Sequence, residues 1–317
     1  MLFSKKVETR KNLILLLIIL ISLPALSWEK LWSQDKLIFD AVLGIETIGN
    51  SPGRLLIWGK NYEKAEAIVA LVELINQKVE ILWQSSNLYE RGSNLMCAAG
   101  NFSSFDQEVI ILTDYGWKLY KVCDNTLEEK YSGSNITGIM EVSSGDIDGD
   151  GYSELLVTSV AKLLNKTVDK KIVVYKFQDG SLKRLSETMG LGNIRTITSL
   201  DLDGNGIWEI VYEEGQAYKK GIITVLQDFE SLTSKTLREY PVFALNSFKG
   251  SKLLVGDDSG SVFIYQLDNS GSLQFTDKLP SVGWGLVAVT SGDFLGKGNE
   301  QILLISHPAK AFLWGED

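Results

Sequence analysis

The chain has 317 residues, with 31 Lys and Arg against 40 Asp and Glu for a net charge of −9. That balance disfavours nucleic acid as a partner, because phosphate binding needs clustered basic side chains. One His and two Cys cannot supply a zinc ligand set, and the length allows one large all-β domain or two smaller ones.

At the start, Lys5, Lys6, Arg10 and Lys11 precede an uninterrupted apolar run from Leu13 to Ile21, then Pro24 and Ala25-Leu26-Ser27. A basic start, a short apolar core and a small-residue ending describe a secretory signal over residues 1–27, cleaved after Ser27. The same stretch also reads as a retained anchor, since Leu13–Leu26 with Trp28 and Trp32 nearly spans a thin bilayer. Under either reading residues 28–317 are expected to be secreted or held on the extracytoplasmic face of the membrane, touching it only through residues 13–26 if these are kept. Removing 1–27 takes away four basic residues and one acidic residue, so −9 becomes −12. Such a charge suits cation binding and solubility.

Six similar units follow. Unit one has Gly44-Ile45-Glu46 and Gly49-Asn50 before Arg54–Ile57; unit two has Gly100-Asn101-Phe102 before Glu108–Ile111. Unit three is Gly145-Asp-Ile-Asp-Gly-Asp-Gly-Tyr-Ser-Glu-Leu-Leu-Val157, and unit four is Leu200-Asp-Leu-Asp-Gly-Asn-Gly-Ile-Trp-Glu-Ile-Val211. Unit five is worn down to Leu245–Phe248 and Lys252–Val255; unit six runs from Gly292-Asp293-Phe294 to Leu303. With Glu46, Asn101, Asp146, Asp201, Asn246 and Asp293 as markers, the steps are 55, 45, 55, 45 and 47 residues. Within unit five, Val242–Asn246, Lys252–Gly256, Ser261–Leu267 and Leu273–Leu279 read as four strands joined by tight turns. Four antiparallel strands per period predict an all-β fold, a β-propeller of six four-stranded blades, or seven if a degenerate unit is hidden. Unit six stops at a third strand, Ala311–Trp314, and Glu29–Gln34 resembles the outer strand Glu80–Ser85. An N-terminal strand is therefore expected to complete the last blade and close the ring.

The loops of units three and four carry the chemistry. Asp146, Asp148 and Asp150 sit at alternate positions with Gly149 and Gly151 between and after them, before Glu154; Asp201, Asp203 and Asn205 do so with Gly204 and Gly206, before Glu209. Alternate oxygen ligands in a tight turn suit Ca²⁺ better than a transition metal. An EF-hand needs a bidentate Glu at its twelfth position, where these loops have Val157 and Tyr212. The β-branched, apolar continuation is that of a strand. The loop pattern resembles the FG-GAP or VCBS repeat family, whose members include the propeller head of integrin α chains. The likeness covers residues 38–306, strongly in units three, four and six. It implies structural Ca²⁺ held by Asp146, Asp148, Asp150, Asp201, Asp203, Asn205, Glu154 and Glu209, with the carbonyls of Tyr152 and Ile207 completing the shells. The richer carboxylate set makes the Asp146 loop the tighter of the two. The Asp293 loop is expected to hold no metal, because Leu295 and Lys297 replace ligands.

No catalytic residue is assigned. His307 stands beside Pro308 at the end of an apolar strand, and no Ser or Cys nucleophile has a local base. Cys97 and Cys123 fall on the first and third strands of unit two, about 9.5 Å apart by strand spacing, so two free thiols are expected. Sequons stand at Asn101, Asn135 and Asn165. The resulting expectation is a monomeric, non-catalytic propeller binding a protein or glycan; the alternative is an exported hydrolase or lyase using carboxylates in the central channel. Loops between second and third strands, and between blades, share the face opposite the metal loops. That face gathers Tyr89, Arg91, Tyr115, Gly190–Arg195, Tyr240, Trp284 and the insertion Ala161–Lys171. Exposed aromatics and Arg favour interface centres, which assigns partner binding to Trp284, Arg91, Tyr89, Tyr115 and Arg195.

Overall fold

The computed structural model describes residues 28–36, 38–49, 52–76, 78–88, 94–164, 167–189, 191–214, 221–228, 230–236, 240–283, 285–307 and 309–316. The expected signal or anchor over 1–27 lies outside them, as do Tyr89, Arg91, Trp284 and the sequon residue Asn165.

The described residues form six four-stranded antiparallel sheets. Strand β1 (Trp28–Gln34) opens the chain. Blade 1 holds β2 (Ala41–Thr47), β3 (Arg54–Asn61), β4 (Glu66–Ile75) and β5 (Lys78–Gln84). Blade 2 holds β6 (Leu95–Gly100), β7 (Glu108–Thr113), β8 (Gly116–Cys123) and β9 (Thr126–Gly133). Blade 3 holds β10 (Ile139–Gly145), β11 (Glu154–Leu164), β12 (Thr167–Gln178) and β13 (Ser181–Thr188). Blade 4 holds β14 (Ile194–Leu200), β15 (Glu209–Glu214), β16 (Ile222–Gln227) and β17 (Glu230–Thr236). Blade 5 holds β18 (Val242–Phe248), β19 (Lys252–Asp257), β20 (Val262–Leu267) and β21 (Leu273–Lys278). Blade 6 is β22 (Leu286–Gly292), β23 (Gln301–Ser306) and β24 (Lys310–Glu316), completed by β1, which pairs with β24 from Trp28↔Glu316 to Gln34↔Ala311. The ring closes as the likeness of Glu29–Gln34 to an outer strand predicts, and the last blade has no open edge there.

Each second strand is apolar on both faces because it is buried on both. Leu55 and Ile57 of β3 pack toward blade 6, whereas Leu56 and Trp58 pack toward blade 2. The same alternation places a separate apolar core at each blade-to-blade interface around the ring. Outer strands such as β9 face solvent, with Leu127 its one buried residue.

Two markers of the sequence repeat lie inside strands, whereas the other four lie just past strand ends. Ile48 bonds back to Arg54 and Phe248 pairs with Lys252, so the first-to-second-strand loops of blades 1 and 5 start at Gly49 and Lys249. Glu46 and Asn246 therefore sit within inner strands and line the central channel. Likewise the stretch Ala161–Lys171 is no loop. Strands β11 and β12 run through it as a ladder, with Leu164 paired to Thr167.

Cys97 lies on β6 and Cys123 ends β8, with β7 between them, and both are free thiols. Burial pushes the Cys97 thiol well above its ordinary range.

Candidate functional site

The loops of blades 3 and 4 are built alike. Gly149, Gly151, Gly204 and Gly206 have φ of 75°, 88°, 78° and 88°, which only glycine adopts without strain. Asp146 accepts from the Gly151 amide at 2.9 Å, and Asp201 accepts from the amides of Gly204, Asn205 and Gly206 at 2.8–3.0 Å. Glu154 accepts from the Ile147 and Asp148 amides, and Glu209 from the Leu202 amide. The loops thus draw Asp146, Asp148 and Glu154 together, and likewise Asp201, Asp203 and Glu209, each set with oxygens within 4.8 Å of one another.

Asp150 and Asn205 are placed differently. Asp150 accepts from the Tyr152 amide at 3.0 Å and from Lys176 Nζ at 2.7 Å; Asn205 donates to Asp203 and accepts from the Ile207 amide. The Asp293 loop keeps the same turn, with Asp293 accepting from the Lys297 and Gly298 amides, and Gln301 standing where blades 2, 3 and 4 have Glu. The turn is therefore a property of the first Asp and the glycines.

These oxygen-only sets suit a hard divalent cation. Glu154 and Glu209 are fully buried, and burial pushes both carboxyls up to about 7. Asp146 Oδ1, Glu154 Oε1 and Glu209 Oε1 are buried without a hydrogen-bond partner. Such atoms cost free energy unless a donor or a cation meets them.

The loops also join neighbouring blades. The amides of Ser153, Trp208 and Gly53 donate to the carbonyls of Asn101, Asp146 and Asp293 in the preceding blade. Asn101 adds its side chain, donating to Gly151 O at 2.6 Å and accepting from the Ser153 hydroxyl at 2.7 Å. Asn135 is engaged too, accepting from Trp117 Nε1 and donating to Leu182 O.

Along the axis runs a polar channel. Its acidic-loop end opens into a cavity of about 360 Å³, and its opposite end narrows to about 90 Å³. Glu46, Cys97, Ser143, Thr198 and Asn246 line both. Burial pushes the half-buried carboxyls of Glu46 and Glu141 up to about 7; near Glu141 the Lys170 ammonium opposes the rise. At the narrow mouth, inner strands β2, β10, β14, β18 and β22 each shift register at one equivalent point, leaving Leu43, Met140, Arg195, Phe243 and Val287 as bulge residues. Leu43 and Phe243 are exposed there, and Arg195 lies 5.2 Å above the Phe243 ring.

Of the expected partner residues within the described region, Tyr115 is exposed at 62% on the turn between β7 and β8. The Arg195 side chain is 14% exposed, packing on Phe243 and lying 3.6 Å from the buried Glu213. The bulge residues and Lys176 were not legible in the sequence, since each depends on strand register.

No family model and no curated protein sequence matches this chain. Solved propellers do. The C-terminal WD40 domain of Sif2 is 10% identical with a TM-score of 0.51, over 90% of this chain and 98% of that one. The Dos1 propeller is 12% identical with a TM-score of 0.49, over 86% of this chain and 68% of that one. The likeness to the Sif2 domain shows the propeller fold.

Proposed function

We propose that this is a non-catalytic propeller that binds a protein partner at the narrow mouth of its channel, on the face opposite the acidic loops. The observation that carries the reading is the set of equivalent bulges. A bulge re-aims side chains at the rim of a barrel or beside a site, and here it leaves Leu43 and Phe243 in solvent. Tyr62, Tyr115, Met189 and Tyr240 are exposed in loops or strand ends of the same face. Apolar and aromatic groups on a rigid scaffold are the usual material of an interface centre. A glycan would bring fewer apolar contacts and is the lesser fit.

The two acidic loops are read as cation sites in the manner of the FG-GAP and VCBS repeats, a reading supported by the orphaned buried oxygens of Glu209 and Asp146. Residues 1–27 are assigned export, as signal or anchor; N-terminal sequencing of the protein from its native source decides which.

A photo-crosslinker placed at Tyr115 should trap the partner in cells. Leu43→Ser with Phe243→Ser should cut the trapped product at least tenfold, leaving the melting temperature within a few degrees. Phe105→Ser with Ile207→Ser, on the loop face, should leave it intact. The reverse pattern puts the partner on the wrong side of the ring.

One observation favours a second reading, an enzyme on the same ring: Glu46 and Glu141 line the channel with carboxyls raised toward neutrality, as general acids often are. A hydrolase or lyase activity lost in Glu46→Gln or Glu141→Gln, with the fold intact, would establish it.

A further inference from the structure

We propose that the two acidic loops have diverged in what fills them. Blade 3 carries its own cation, the Lys176 ammonium, and blade 4 is left open to a soluble divalent ion. The inference rests on the reading of these loops as cation sites.

Strand register places Lys176 and Gln227 at the same point. Leu155 pairs with Tyr175 and Ile210 with Leu226, so Lys176 stands opposite Glu154 and Gln227 opposite Glu209. Lys176 is largely buried. Its Nζ touches Asp148, lies 2.7 Å from Asp150 Oδ2 and lies 3.4 Å from Glu154 Oε1. The equivalent Gln227 reaches only Asp203, at 3.5 Å, with a neutral amide.

The start of the second strand shows the same contrast across three blades. Each has a buried Glu that caps its loop through one oxygen, and each treats the other oxygen differently. In blade 2 the Ser103 hydroxyl donates to Glu108 Oε1. In blade 3 Glu154 Oε1 also has no hydrogen-bond partner, but the Lys176 ammonium lies 3.4 Å from it. In blade 4 Glu209 is 1% exposed and its Oε1 has no hydrogen-bond partner. A buried oxygen aimed into a carboxylate cluster with nothing on it is where an ion gains most.

Charge removes the advantage that ligand count alone would give blade 3. Its four carboxylates less one ammonium leave −3; the three carboxylates of blade 4, with neutral Asn205 and Gln227, also leave −3. A divalent ion entering blade 3 must evict a tethered ammonium that is always locally present, whereas in blade 4 it displaces one weakly held amide. Blade 4 is therefore the tighter site.

Calorimetric titration of the full-length chain with CaCl₂ tests this. The parent protein should bind one ion, Asp203→Asn should lose it, and Asp148→Asn should keep it. Lys176→Gln should add a second site, at least tenfold tighter than anything blade 3 shows with its lysine, and Asp148→Asn in that background should remove it. Circular dichroism keeps misfolded variants out of the comparison. Two sites in the parent unaffected by Lys176→Gln, loss through Asp148→Asn alone, or no second site in Lys176→Gln would overturn the proposal while leaving the loops as cation sites. No binding by any variant at millimolar calcium would instead sink the underlying reading.

Discussion

At Glu46 and Glu141 the channel holds two carboxyls that burial pushes up to about 7. A carboxyl raised in the folded state binds its proton more tightly there than in the unfolded chain, so stability falls as pH rises from about 4.5 to 7. Below that window both states are protonated and the penalty vanishes. Glu46→Gln should therefore raise the melting temperature at pH 8 and leave it unchanged at pH 4. The group is only half-buried, so the gain is on the order of 1 kcal/mol, or about 2 °C. A gain of equal size at both pH values would show that packing, not ionisation, is responsible. Neither carboxyl was legible as a channel group. In the sequence Glu46 marks a position in the repeat, and the direction its side chain takes depends on the register of β2.

Among the inner strands, hydroxyls join one blade to the next at equivalent positions. Ser144 donates to Ala99 O at 2.5 Å, Ser199 to Ser144 O at 2.7 Å, Ser291 to Ser247 O at 2.9 Å and Thr47 to Ser291 O at 2.6 Å. Inner strands of adjacent blades belong to separate sheets, so these side chains supply polar links where no ladder runs. Ser199→Ala should cost about 1 kcal/mol and lower the melting temperature by roughly 2–4 °C. An unchanged thermal transition would mean that apolar packing alone joins the blades. The strands themselves were readable: in blade 5 the expected Val242–Asn246, Lys252–Gly256, Ser261–Leu267 and Leu273–Leu279 agree with the observed elements to within two residues. Alternating apolar residues and Asp-Ser-Gly turns are local signals. The extension of β11 and β12 through Ala161–Lys171 was missed because that polar stretch lacks them.

For the molecule as a whole, closure depends on β1. Trp28 donates to Asp277 in blade 5 at 2.8 Å and packs against Phe248, while the rest of its strand pairs with β24. Trp28→Ala should cost about 2 kcal/mol, less than for a fully buried Trp because this one is half-buried. Deleting residues 28–34 should do more, exposing the β24 edge and producing concentration-dependent association visible by light scattering. A monomer of unchanged stability after that deletion would show that three strands suffice for blade 6. While the structure settled six blades over seven, the sequence by itself determined the four-stranded repeat, the closing strand and the two loops rich in carboxylates. Those follow from local periodicity, from turn chemistry and from one period near fifty residues. Only the tertiary structure decided what faces the channel, which residues form bulges at its mouth, and that Lys176 rather than Gln227 carries an ammonium into an acidic loop. Each of these turns on the register between strands that lie tens of residues apart, and a shift of one residue sends every side chain to the other face.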